Sequence, residues 1–147
     1  MKLNLTVLFM IALSGCEAVP KAAQQAQTDD KLIGVWEGEY LEKDGTLKKW
    51  TQTRKEDGTY RIEFRFVEPG GTVNRFSELG LWWIKDSLFH ELVPSWMKHP
   101  DSYQYHFKDN NCIEFLLVDS RESIEDIGKY YFVECLSDTV PLARNID

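Results

Sequence analysis

From Val35 to Phe66 the chain alternates short apolar and polar positions with a period of two, the pattern of strands that have one buried and one solvated face. Lys43-Asp44-Gly45 and Glu56-Asp57-Gly58 each suit a three-residue hairpin loop, a type I turn closed by a glycine in the left-handed region. Such loops pair residue 42 with 46 and residue 55 with 59. Counting outward places Trp36 opposite Gln52, Gly38 opposite Trp50, and Trp50 opposite Phe64 on one face. That face also carries Tyr40, Tyr60, Ile62 and Phe66, with Lys48 and Arg54 nearer the strand ends. The opposite face carries Glu37, Glu39, Lys49, Thr51, Thr53, Arg61, Glu63 and Arg65. One side is a core and the other is wet, and Glu39 across from Lys49 is a favourable cross-strand pair. A two-residue loop at Asp44-Gly45 would turn Trp50 onto the charged face, so the three-residue loop is preferred.

Further strands are predicted at Thr72 to Glu78, Gly80 to Lys85, Leu88 to Val93, Ser102 to Lys108, Cys112 to Asp119 and Lys129 to Leu136, with one helical turn over Ser123 to Ile127. Eight or nine short strands with no long helix predict an all-β domain, either a sandwich or a closed barrel, and the antiparallel up-and-down β-barrel is the expected fold. Setting Cys112 opposite Cys135 makes Phe115 meet Phe132 and Leu117 meet Tyr130, a coherent apolar face. A Cys112–Cys135 disulfide would then lie on the other face. A redox role lacks the short Cys-x-x-Cys spacing.

The N-terminus reads as an address. Met1-Lys2 precedes an apolar run from Leu5 to Leu13, too short to span a bilayer and suited to the middle of a secretory leader. It ends in Leu13-Ser14-Gly15-Cys16, which resembles the bacterial lipobox. The resemblance implies cleavage after residue 15 and acylation of Cys16 by fatty chains of the palmitate kind, which would hold the protein on a membrane. Glu17 is not the Asp that resembles an inner-membrane retention signal, so the outer membrane of the bacterial envelope, periplasmic side, is the default expectation. Residues 16–30 have no periodic apolar face and read as a tether. The domain is expected over 31–138, followed by a tail over 139–147.

Leu32-Ile33-Gly34-Val35-Trp36-Glu37-Gly38 resembles the Gly-x-Trp opening of the lipocalin and wider calycin superfamily. The resemblance implies a lipocalin-like barrel in which Trp36 closes one end, covered by a basic residue from late in the chain, Arg121 or Arg144. Gly80-Leu81-Trp82 repeats the pattern as a weak internal echo.

Charge then narrows the partners. Seventeen Lys and Arg against 24 Asp and Glu give a formal net charge of −7, which argues against nucleic acid, whose phosphates need clustered positive charge. His90, His99 and His106 have no ligand spacing for a metal, and no nucleophile elbow, phosphate loop or nucleotide fingerprint occurs. The chain is therefore read as a non-enzyme that needs no cofactor. Gln52 and Arg54 are polar groups on an aromatic face, positioned either for internal pairing or to meet a ligand's polar end. The Pro-bounded loop from Val93 to Pro100 carries Trp96, which could plug the barrel, form a lid or dock a partner. The expected function is an envelope lipoprotein that binds a small apolar or amphipathic molecule through Trp36, Tyr40, Trp50, Gln52, Arg54, Tyr60, Phe64 and Trp96. The alternative is an interaction module, an envelope assembly factor or enzyme inhibitor, with a filled barrel and a binding surface around Trp83 and Trp96. A cavity of about 300 Å³ or more favours the first.

Overall fold

A computed structural model describes residues 27–138; the leader, Cys16 and Arg144 lie outside them. Eight antiparallel strands follow one another around a closed barrel: β1 (Gly34–Leu41), β2 (Leu47–Arg54), β3 (Thr59–Val67), β4 (Val73–Lys85), β5 (Leu88–Leu92), β6 (Asp101–Phe107), β7 (Cys112–Asp119) and β8 (Tyr131–Leu136). Closure comes from β1 pairing with β8 through Trp36↔Leu136, Glu37↔Cys135 and Gly38↔Glu134. The architecture is the expected up-and-down barrel.

The hairpin registers are those predicted. Trp36 faces Gln52, Gly38 faces Trp50, and Trp50 faces Phe64. Gly45 and Gly58 adopt φ of 88° and 78° and donate to Glu42 O and Lys55 O, the backbone conformation that suits glycine. The Asp44 and Asp57 carboxylates accept from the Thr46 and Thr59 amides at 2.8 and 2.9 Å, locking both turns. Lys49 and Glu39 pair across the outer surface at 3.0 Å.

The predicted break between residues 78 and 80 does not exist. Val73–Lys85 is one long strand, and Gly80 lies in its interior opposite Tyr60, where a side-chain carbon would sit 2.3 Å from the Tyr60 ring. Glycine here makes room for an aromatic neighbour rather than a turn. Gly38 does the same for Trp50, with a side-chain carbon 2.3 Å from the indole. Among the described residues the count is therefore eight strands, the lower of the two expected numbers.

One pole of the barrel is closed. Leu32, in a 3-10 turn over Asp30–Leu32, is fully buried there. The Trp36 indole donates to Leu32 O at 2.9 Å, and the Trp82 indole donates to Lys55 O at 3.1 Å. Described contacts begin before Lys31: Gln27 O accepts from Ile84 N at 2.6 Å, and Asp29 caps the 3-10 turn. The β1–β2, β3–β4, β5–β6 and β7–β8 connections gather at the other pole, and the β7–β8 connection contains a 3-10 turn over Ile124–Asp126 where the helical turn is expected.

Cys112 and Cys135 pair in register and form a disulfide between β7 and β8, while their neighbours Ile113 and Glu134 point inward and are buried. Spanning a sequence separation of 23, the bridge restricts the unfolded chain. Replacing both cysteines by alanine is expected to lower the free energy of unfolding by about 3 kcal/mol, measured by urea titration against the oxidised protein. An unchanged midpoint would remove the bridge from the stabilising interactions.

Candidate functional site

The barrel encloses a cavity of about 890 Å³ that opens at the pole opposite Leu32. Its depth follows from strand alternation. Inward positions on β2 and β3 supply Lys48, Trp50, Gln52, Tyr60, Ile62 and Phe64, and inward positions on the other strands supply Tyr40, Phe76, Phe89, Tyr103, Phe132 and their neighbours. Trp50 meets Phe132 edge-on with centroids 5.2 Å apart, and Phe66 stacks on Phe76 at 5.5 Å. The wall is thus largely aromatic, and four connections form the rim.

The floor is polar. Arg54, 2% exposed, reaches inward from the end of β2 and forms an ion pair with Glu134 of β8, itself 1% exposed. The same guanidinium nitrogen donates to Gln52 Oε1 at 2.5 Å. Trp50 Nε1 donates to the other Glu134 oxygen at 2.7 Å, so both carboxylate oxygens are occupied. Arg54 Nε and Nη1 have no hydrogen-bond partner. They lie in a guanidinium enclosed by rings, its carbon 4.8 Å from the Phe89 centroid, 5.3 Å from Phe115 and 5.9 Å from Trp36, and the electron-rich ring faces compensate the lost solvation.

A second carboxylate faces the cavity above this floor. Glu91 of β5 accepts from Tyr103 Oη at 3.1 Å and from Gln52 Nε2 at 3.4 Å, and it sits opposite Asp101 in the β5–β6 ladder. Loss of solvent pushes its pKa up to about 7, opposed by Arg54 and reinforced by Glu134 and Asp101. Burial likewise raises Asp101. Lys48 projects from β2 toward three rings, 4.9 Å from the Phe64 centroid, 5.5 Å from Tyr130 and 5.7 Å from Trp50. Desolvation holds its pKa below the usual lysine range. Its ammonium donates to Tyr130 Oη at 3.3 Å.

The structure brings Tyr40, Trp50, Gln52, Arg54, Tyr60, Phe64 and Trp96 to this cavity and leaves out Trp36, which lies beyond Arg54 at the closed pole. Among the described residues the cation over Trp36 is Arg54, and Arg144, the other late-chain candidate, lies outside them. Arg121 is exposed in the β7–β8 connection, at the mouth. Trp96 does not plug the barrel: it is 55% exposed and its indole donates to Glu78 at 3.1 Å at the rim. Met97 is the residue that turns inward, its sulfur accepting from the Val93 amide. Glu91 and Glu134 are absent from the sequence prediction. Their signal was available in the alternation, since residue 134 shares the inward parity of Phe132 and residue 91 that of Phe89. Among the described residues no group of three or more His, Cys, Asp or Glu is placed to hold a metal ion. Compared with known proteins, the chain matches no family model and no curated protein.

Two outcomes follow from the buried charges. Glu134→Leu leaves Arg54 charged and unpaired, an expected loss of about 3–5 kcal/mol, whereas the Arg54→Met, Glu134→Leu double variant loses less than Glu134→Leu alone; chemical denaturation of all three proteins measures the difference. Because the Glu91 pKa rises from 4.5 to about 7 on folding, the folded protein binds this proton more tightly than the unfolded chain. The stability it contributes is full below about pH 4.5 and is lost as the pH climbs through about 7. Glu91→Gln is expected to flatten the stability profile across that window, and an identical slope in wild type and variant would refute this.

Proposed function

We propose that the protein is a binding cup for a small apolar or amphipathic molecule, held without covalent chemistry or turnover. The observation that carries this reading is the cavity of about 890 Å³, open at one pole, with aromatic walls and polar groups gathered at its floor. Binding sites for small molecules combine a concave apolar surface with a few placed polar groups. A filled barrel, which the interaction-module alternative requires, leaves no such space. Gly34-Val35-Trp36 and the up-and-down order of the strands support a lipocalin-like relationship.

The same reading places the protein in the bacterial envelope, anchored by acylated Cys16. Leu13-Ser14-Gly15-Cys16 after an apolar run supports it. Cys16→Ser is expected to shift the protein from the membrane fraction to the soluble fraction and to abolish incorporation of labelled palmitate. Retention of label in the variant would sink the assignment.

Neutral N-phenyl-1-naphthylamine tests the cup. One molecule per chain is expected to bind, with energy transfer from Trp50, and Phe64→Ala is expected to weaken binding about tenfold by removing buried ring surface. Native mass spectrometry of protein taken gently from its own host is expected to carry a stoichiometric small molecule. Absence of saturable probe binding would overturn the reading.

A further inference from the structure

Charge inside the cup is lopsided, and that imbalance bears on the chemistry of the ligand. Nine carboxylate side chains line the cavity against three basic ones. Of the three, Arg54 is spent on Glu134 at the floor, and Lys43 belongs to the rim hairpin. Lys48 remains, facing Glu42, Glu78 and Glu91 across the cavity. Glu91 receives only neutral donors, Tyr103 Oη and Gln52 Nε2, so its charge has no cation in contact. An anionic head group entering this space meets added repulsion from Glu78, Glu91 and Asp101. A cationic one relieves it.

The walls agree with the charge. Phe64, Trp50 and Tyr130 present rings to a common point, and Lys48 Nζ already stands there, 4.9 to 5.7 Å from the three centroids. The chain's own ammonium thus marks a place where aromatic faces accept positive charge. Glu91, Phe66 and Phe76 line the same cavity of about 890 Å³ as Lys48, which gives an occupant both a carboxylate and apolar surface beside the rings.

Resting on the binding-cup reading, we propose that the cup selects an organic cation, an amphiphile with an ammonium group and an apolar body. Its positive end sits between the aromatic cage and Glu91, and its apolar part runs along Phe66 and Phe76 toward the mouth. Lys48 then acts as a tethered competitor for the same rings.

Three probes with one tail test this: decyltrimethylammonium, decanol and decanoate, each below its micelle concentration, displacing N-phenyl-1-naphthylamine from the folded protein at pH 8. The ammonium is expected to bind at least about tenfold more tightly than decanoate and more tightly than decanol. Glu91→Gln is expected to narrow the ammonium's advantage over decanol several-fold, and Lys48→Met to strengthen ammonium binding and weaken decanoate. Circular dichroism checks that both variants fold, and the three-probe ranking on the unaltered protein stands without them. If decanol or decanoate binds as well as the ammonium, selectivity for cations is wrong and the cup survives. If no probe binds, the naphthylamine included, the cup reading and the inference fall together.

Discussion

The ion pair between Arg54 and Glu134 is the constraint around which the barrel interior is arranged. It joins β2 to β8 across a sequence distance of 80 residues, at the level where the sheet closes on itself through Gly38↔Glu134. A guanidinium and a carboxylate taken out of water cost several kcal/mol each unless they are paired and their remaining groups are met. The surroundings are consistent with that demand: Gln52 and Trp50 supply hydrogen bonds, and Phe89, Phe115 and Trp36 supply ring faces. Aromatic rings on one side and hydrogen-bonding groups on the other separate a packed closed pole from an open cavity.

Glycine and aromatic residues share the work of fitting large rings into a narrow cylinder. Trp50 lies against Gly38 and Tyr60 against Gly80, each ring occupying the volume that a side chain opposite it would need. Without those absences the rings would be driven further into the cavity or out of their strands. Trp36 and Trp82, each two residues after a glycine, place indoles at the closed pole and donate to backbone carbonyls. The repeated Gly-x-Trp pattern therefore corresponds to two similar structural solutions.

Local chemistry made much of the fold legible. Two Asp-Gly turns set the registers of β1, β2 and β3, and a cysteine pair set that of β7 and β8, because a side-chain period of two allows no other face for Trp50 or Phe115. Gly80 misled because a glycine that ends a strand and one that makes room inside it look alike until the opposite residue is known. For Trp96 the sequence left plug, lid and docking open, and exposure at the rim removes only the plug, because a loop tryptophan beside a methionine gives no hint which one turns inward. Tyr40, Trp50, Gln52, Arg54, Tyr60 and Phe64 were readable on the same terms as the registers, as they lie on predicted strands with known parity. Glu91 and Glu134 were passed over because a carboxylate in an acidic chain reads as surface, and its burial depends on partners supplied by distant strands. Arg54 shows the converse, since among the described residues the cation over Trp36 comes from β2, the partner strand in the same hairpin.

An even number of antiparallel strands returns the polypeptide to the side from which it set out. Gln27 joins Ile84 at the closed pole, and Ser137, just beyond β8, donates to Val35 O at that same pole. Both ends of the described chain therefore emerge on the side away from the mouth. A fluorescent protein, an affinity handle or a sensor surface attached at either end leaves the opening free, which suits the barrel to immobilisation as a reagentless detector of whatever enters it.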